Sequence, residues 1–116
     1  MNKSNTTRYI ELLNPIRETQ EIFNNKWKLQ IVVTLLAGNT RFNEIGRSLP
    51  KISSKILIKE LRELEASAIV KRTVSNKNLN INYSIESNNR ELRQIIAAYR
   101  NFSIAFANRI ITGQPS

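Results

Sequence analysis

Residues 42–70 read FNEIGRSLPKISSKILIKELRELEASAIV. Two helical patterns lie in this stretch, separated by a very short joint. In the first, from Phe42 to about Leu49, the apolar residues Phe42, Ile45 and Leu49 fall on one side, and Pro50 ends the run. In the second, Ser53 is placed to cap a helix running to about Ser67, with Leu57, Leu61, Leu64 and Ala68 as its apolar stripe. Pro50-Lys51-Ile52 joins the two, a connection of the length found in a helix-turn-helix. On a helical wheel Lys55, Lys59 and Arg62 fall opposite the leucines, with Ser53 and Ser54 in the first turn.

The flanking sequence completes the pattern. Trp27, Ile31 and Leu35 recur at i, i+4 and i+8, with Val32 and Leu36 widening the stripe, and Gly38-Asn39 supplies a stop. This predicts one helix over 18–37, with Trp27 packed in the core and not offered as a stacking surface. Ahead of Pro15, Tyr9, Leu12 and Leu13 share a face in a short segment, Arg8 to Asn14. After Ala68 the period falls to 2. Ile69 to Val74 is rich in β-branched residues, and Leu79, Ile81, Tyr83 and Ile85 alternate with Asn80, Asn82, Ser84 and Glu86. The polar segment Ser75-Asn76-Lys77-Asn78 between them predicts a hairpin tip. Asn88-Asn89-Arg90-Glu91 then reads as a capping sequence for a long helix from Asn89 to Thr112, ended by Gly113. Three helices, a hairpin and a further helix make a mainly α fold with a small β-hairpin. That is the winged helix-turn-helix arrangement, in a single domain over 1–116.

Composition narrows the chemistry. The chain has 116 residues and contains no Cys, no His and no Asp. Without Cys there is no disulfide, no thiolate nucleophile and no cysteine metal site. Without His the commonest general base and the neutral-pH switch are gone. No metal site, cofactor or enzymatic function is expected from what remains. Eighteen Lys and Arg against 9 acidic residues give a net charge of +9, which draws polyanions over a Debye length of about 10 Å. No run of apolar residues is long enough for a membrane span, and the N-terminal MNKSNTTRYI lacks the apolar centre of a signal peptide. The expectation is a soluble cytoplasmic protein.

In a helix-turn-helix the second helix enters the major groove with its first turns at the base edges. Ser53 and Ser54 suit base or phosphate; Lys55 and Lys59 suit guanine or phosphate; Arg62, later in the helix, suits phosphate. Ile58 beside them suits a thymine methyl. The alternative for this face is plain solvation, with the cations paired to Glu60, Glu63 and Glu65. Arg41, Arg47 and Lys51 flank the turn as a phosphate-gripping edge, or as scattered solubilising charge. Arg72, Asn76 and Lys77 are placed at the hairpin to reach a neighbouring minor groove or the backbone. The last helix outruns a small core, which about three turns would close, and its stripe of Tyr99, Phe102, Phe106 and Ile110 points to a homodimer seam. Past Tyr99 it carries only Arg100 and Arg109 as charges, so it lacks the basic face of a membrane-surface helix.

The runs Asn25-Lys26-Trp27, Arg41-Phe42-Asn43-Glu44-Ile45, Leu49-Pro50-Lys51-Ile52-Ser53 and Leu61-Arg62-Glu63-Leu64-Glu65, with Ile69-Val70-Lys71-Arg72 behind them, resemble the HxlR-type transcriptional regulators. The likeness extends over about residues 14–102. It implies a dimeric winged-helix protein that binds double-stranded DNA, with the helix from Ser53 as recognition helix and the hairpin around Asn76 and Lys77 as wing. It also implies dimerisation through both terminal helices, about 6–14 and 89–112, which adds Tyr9 and Leu13 to the seam and leaves a core of about 16–86. The chain departs from the family pattern at Asn25 and Ala68, where the family has Gly, and in a wing without Pro. Many members carry a Cys just before a Pro near the N-terminus; here Asn14 precedes Pro15.

The reading is therefore a homodimeric regulator acting on a palindromic duplex site, with a winged-helix protein-interaction module lacking specific DNA binding as the alternative. Oxidant sensing through a low-pKa thiolate is chemically absent. Diamide or dilute peroxide is expected to leave DNA affinity unchanged in the purified protein. A loss of binding that reductant restores would contradict this.

Overall fold

The computed structural model describes residues 4–75 and 80–113, which fall into two compact units, 1–85 and 86–116. The first unit holds α1 (Asn5–Asn24), α2 (Lys28–Leu36), α3 (Phe42–Ser48), α4 (Ser54–Ala66), β1 (Val70–Val74) and β2 (Ile81–Ile85). The second holds α5 (Arg90–Thr112). Among the described residues no helix is long and apolar enough to cross a membrane.

The N-terminal region departs from the expected pattern. The sequence predicts a short segment ending before Pro15 and one helix over 18–37. The structure has instead a 20-residue α1 running through Pro15, then a break at Asn25. Pro15 forfeits one backbone donor, and that single loss does not end the helix. The break has a local cause. Asn25 Oδ1 accepts from Trp27 N at 2.9 Å and Lys28 N at 3.0 Å, taking over the orphan donors that open α2. Ser4 caps α1 in the same manner, its Oγ accepting from Thr7 N. Trp27, expected in the core, is only half-buried at this junction, with the Lys26 ammonium 4.9 Å from its ring centroid.

The next two helices form as their sequences predict, except that Ala68, expected on the apolar stripe of the second, lies beyond its end and is exposed, because the chain has already turned out of the helix there. Glu44 Oε1 accepts from Thr40 N and Arg41 N, both at 3.1 Å, which is the carboxylate half of a capping box at the start of α3. The joint tightens through Leu49 N to Gly46 O and Ile52 N to Leu49 O. Ser53 Oγ accepts from Ile56 N at 3.1 Å and starts α4.

The core of this unit is mainly apolar. Ile31, Val32 and Ile45 are fully buried, and Leu57, Leu61, Leu64 and Val70 are 1% exposed. β1 and β2 pair antiparallel, with Val70 opposite Ile85, Arg72 opposite Tyr83 and Val74 opposite Ile81. Ser75 N donates to Asn80 O beyond the last pair. The expected hairpin-tip residues Asn76 and Lys77, and Leu79 at the expected start of the second strand, lie outside the described residues. A two-stranded ribbon is marginal alone. This one is tied to the segment before α3 by Tyr83 N donating to Thr40 O at 2.8 Å and by Thr40 Oγ1 donating to Asn82 Oδ1 at 3.3 Å.

In the second unit, α5 closes at Gly113, whose φ of 67° is left-handed and whose N–H donates to Arg109 O at 2.9 Å. The expected cap at its start does not form. Asn89 occupies the cap position, but its side chain makes no cap bond, and its Nδ2 donates back to Glu86 O at 3.4 Å.

The end of α4 carries strain. Ala68 has φ 60°, in the left-handed region that Gly enters without a steric penalty. The turn is held by Ala68 N to Glu65 O and Ile69 N to Leu64 O, both at 3.0 Å. Left-handed backbone costs an L-residue roughly 1–2 kcal/mol. Ala68→Gly relieves that cost, against roughly 0.4–1 kcal/mol of added unfolded-state entropy. The variant is expected to be more stable by up to about 1.6 kcal/mol in urea unfolding. A destabilised variant would show that the turn is unstrained.

Candidate nucleic-acid interface

The orientation of α4 follows from its stripe. Leu57, Glu60, Leu61 and Leu64 face inward, so Ser54, Lys55, Ile58 and Arg62 face solvent. Two open grooves flank the helix. One, of about 300 Å³, lies between α3 and the first turn of α4 and is lined by Asn43, Gly46, Arg47, Ile52, Ser53 and Ser54 among others. The other, of about 260 Å³, lies between α4 and the hairpin. Phe42, Ile58, Leu61, Ile81 and Tyr83 form its apolar walls, and Arg62, Arg72 and Glu65 its polar part. The structure thus brings Arg62 of α4 and Arg72 of β1 to one groove.

The remaining expected contacts divide by their partners. Lys51, Lys55, Arg62 and Arg72 are exposed and have no carboxylate at ion-pair distance among the described residues. Ser53 Oγ accepts the α4 cap bond with one lone pair and keeps its hydroxyl proton. Arg41 is exposed, but its Nη1 donates to Asn80 Oδ1 at 3.2 Å, which ties it to the hairpin. Asn76 and Lys77 lie outside the described residues.

Lys59 is differently placed. Its ammonium lies 3.2 Å from Glu60 Oε1 and 3.0 Å from Glu63 Oε2. For this residue the carboxylate-paired alternative describes its surroundings, with Glu60 and Glu63 as partners. The same two carboxylates receive a second ammonium from within. Lys28 Nζ donates to Glu60 Oε2 at 2.8 Å and to Glu63 Oε1 at 2.6 Å, and lies 3.4 Å from Glu21 Oε1. Lys28 and Glu60 are 4% and 3% exposed. Burial alone would lower the Lys28 pKa; its hydrogen bonds to Glu60 and Glu63 outweigh that and hold it above the usual lysine value. Hydrogen bonds from Lys28 and Lys59 hold Glu63 below the usual carboxylate range, and hydrogen bonding to Glu63 and Glu60 raises Lys59. The backbone N–H groups of Arg41 and Thr40 lower Glu44 in the same way.

Lys28 is the residue that the sequence reading missed. The signal was Glu60, a carboxylate lying within the Leu57, Leu61 and Leu64 stripe. An acid on a dry face requires a cation, although its own helix does not say which one.

The terminal helices expose apolar stripes. On α1 these are Tyr9, Leu12 and Ile16, with Leu13 half-buried beside them. On α5 they are Ile95, Tyr99, Phe102, Phe106 and Ile110, spaced along one side of the helix. The Phe102 and Phe106 rings stack with centroids 5.9 Å apart.

A model of the HxlR-like helix-turn-helix family matches residues 22–110. The chain belongs to the HxlR-like helix-turn-helix family. It is accordingly a transcriptional regulator and not an enzyme. Among its relatives, the uncharacterised HTH-type transcriptional regulator YdeP of Bacillus subtilis is 31% identical over 97 residues, which cover 83% of this chain and 76% of YdeP. The crystal structure of the HTH-type regulator YtcD shares 32% identity and a TM-score of 0.72, over 81% of this chain and 97% of that one. The redox regulator HypR in its reduced form shares 29% identity and a TM-score of 0.76, over 85% of this chain and 99% of that one. These two solved structures share the winged-helix architecture of this chain.

Proposed function

We propose that this HxlR-like chain regulates transcription as a cytoplasmic homodimer on a palindromic duplex site. The observation that carries the reading is the exposed side of α4, where Ser54, Lys55, Ile58 and Arg62 stand opposite a fully packed leucine stripe. The first turns of α4 enter the major groove, where Ser53, Ser54 and Lys55 read base edges and adjoining phosphates. Arg41 and Lys51 grip phosphates beside the turn. Arg62 and Arg72 meet the backbone from the groove between α4 and the hairpin, with Asn76 and Lys77 as wing contacts. Lys59 reaches a phosphate by giving up one of its two carboxylates. Phosphate contacts supply salt-dependent affinity and the start of α4 supplies sequence readout.

Lys55→Ala and Arg62→Ala are each expected to weaken binding and to reduce the salt slope by about one unit where a phosphate contact is lost. Lys59→Ala is expected to change it less, because that ammonium is already neutralised. Gel shifts on the upstream region of its own gene, over a salt series, measure this. Unchanged affinity in all three variants would favour the protein-interaction module.

The dimer reading rests on α5. At 23 residues it is about 34 Å long, and it keeps Tyr99, Phe102, Phe106 and Ile110 exposed from near its middle to its end. A second copy of the chain is the occupant we assign to this stripe, with Tyr9 and Leu13 of α1 contributing. The two recognition helices would then lie about 34 Å apart or a multiple of it. Phe106→Glu puts an unpaired charge in that seam and is expected to yield monomers by light scattering. A monomeric unmodified protein at micromolar concentration would refute the dimer. HypR is a redox regulator; the present chain has no Cys, so its regulation falls to a non-covalent effector, a partner or its own abundance.

A further inference from the structure

Lys28, Lys59, Glu60 and Glu63 form a closed square of charges. Each carboxylate gives one oxygen to the inner ammonium and the other to the outer one. Glu60 uses Oε2 for Lys28 and Oε1 for Lys59; Glu63 uses Oε1 for Lys28 and Oε2 for Lys59. The square is neutral. Its inner corner is dry, with the Lys28 and Glu60 side chains 5% and 4% exposed, while Lys59 is 63% exposed. Glu21 of α1 lies 3.4 Å from the same inner ammonium.

The geometry says what this arrangement can do that leucines cannot. Contacts of Leu57, Leu61 and Leu64 are non-directional and tolerate a small roll of α4 about its axis. Glu60 and Glu63 stand three residues apart on α4, and a single ammonium anchored at the first residue of α2 bonds both. Two directed bonds to one point determine both the roll and the axial position of the helix. A roll of about 10° moves a side-chain tip at a radius of about 5–6 Å by about 1 Å. That is enough to misalign a bidentate contact to a base edge while leaving a phosphate contact within reach.

We infer that Lys28 is a positioning residue for the recognition helix, setting the roll of α4 and thereby the discrimination between operator and other DNA. The inference rests on the DNA-binding reading above. Lys28 touches no DNA in this scheme. It acts through Glu60 and Glu63, so its loss lowers specificity while general affinity for duplex persists.

The test uses Lys28→Met combined with Glu60→Leu in the full chain. This double variant keeps the net charge, fills the site with apolar groups of similar size, and leaves Lys59 and Glu63 paired at i, i+4. An operator is first selected from a random duplex pool by the unmodified protein. Affinities are then measured for that duplex and for an unrelated one of equal length, with a thermal melt as the check on folding. The expected result is a folded variant whose affinity for the unrelated duplex stays within about twofold, while its operator preference falls at least about tenfold. An unchanged preference in the folded variant overturns the inference and makes the square purely structural. If the double variant does not fold, Lys28→Leu combined with Glu60→Met, which removes the same directed bonds at the same net charge with the two apolar shapes exchanged, carries the same two outcomes. Failure of the unmodified protein to select any sequence would instead overturn the DNA reading.

Discussion

One side of α4 must stay dry, and the placement of the candidate interface follows from that. Leu57, Leu61 and Leu64 reach 1% exposure in a core shared with α2 and the start of β1. A helix carries its residues at set angles, so burying this stripe turns Ser54, Lys55, Ile58 and Arg62 outward. α2 also packs on α1, α3 and β2. Its fully buried Ile31 and Val32 make it the element against which the other parts of the first unit are set.

Electrostatics then sorts the cations into two kinds. Lys28 and Lys59 are matched by Glu60 and Glu63 and add no net charge to the α4 surface. Among the described residues Lys51, Lys55, Arg62 and Arg72 have no acid at ion-pair distance and carry the positive field outward. An excess of +9 over the whole chain does not say where the field is strongest; the pairing does. Burying Lys28 with Glu60 is weak evidence of added stability, since desolvation consumes much of the attraction. Its clearer consequence is orientation, because charged hydrogen bonds are directional and leucine contacts are not.

The hairpin shows how a small element is kept in place. Two five-residue strands bury little, and among them only Val70 and Ile85 are dry. Backbone and side-chain bonds from Thr40, and the Arg41 bond to Asn80, hold the ribbon beside the start of α3. That attachment lets Arg72 share a groove with Arg62.

Much of the fold was legible from local sequence. The α3–α4 joint, the Ser53 cap and the Gly113 stop each depend on neighbours a few residues away, and each formed as read. The N-terminal reading failed because two local signals competed. Pro15 resembled a stop yet cost one bond, while Asn25 sat inside a helical period and broke it with its own side chain. The face carrying Lys55 and Arg62 was legible because its opposite is a stripe of leucines. The pairing of Lys28 with Glu60 was not, since those residues stand 32 positions apart. Sequence alone determined which residues α4 presents on its two sides, because that angle is a property of any helix. Only the tertiary structure decided which of its cations are already neutralised, because that depends on which distant side chain packing brings within about 3 Å.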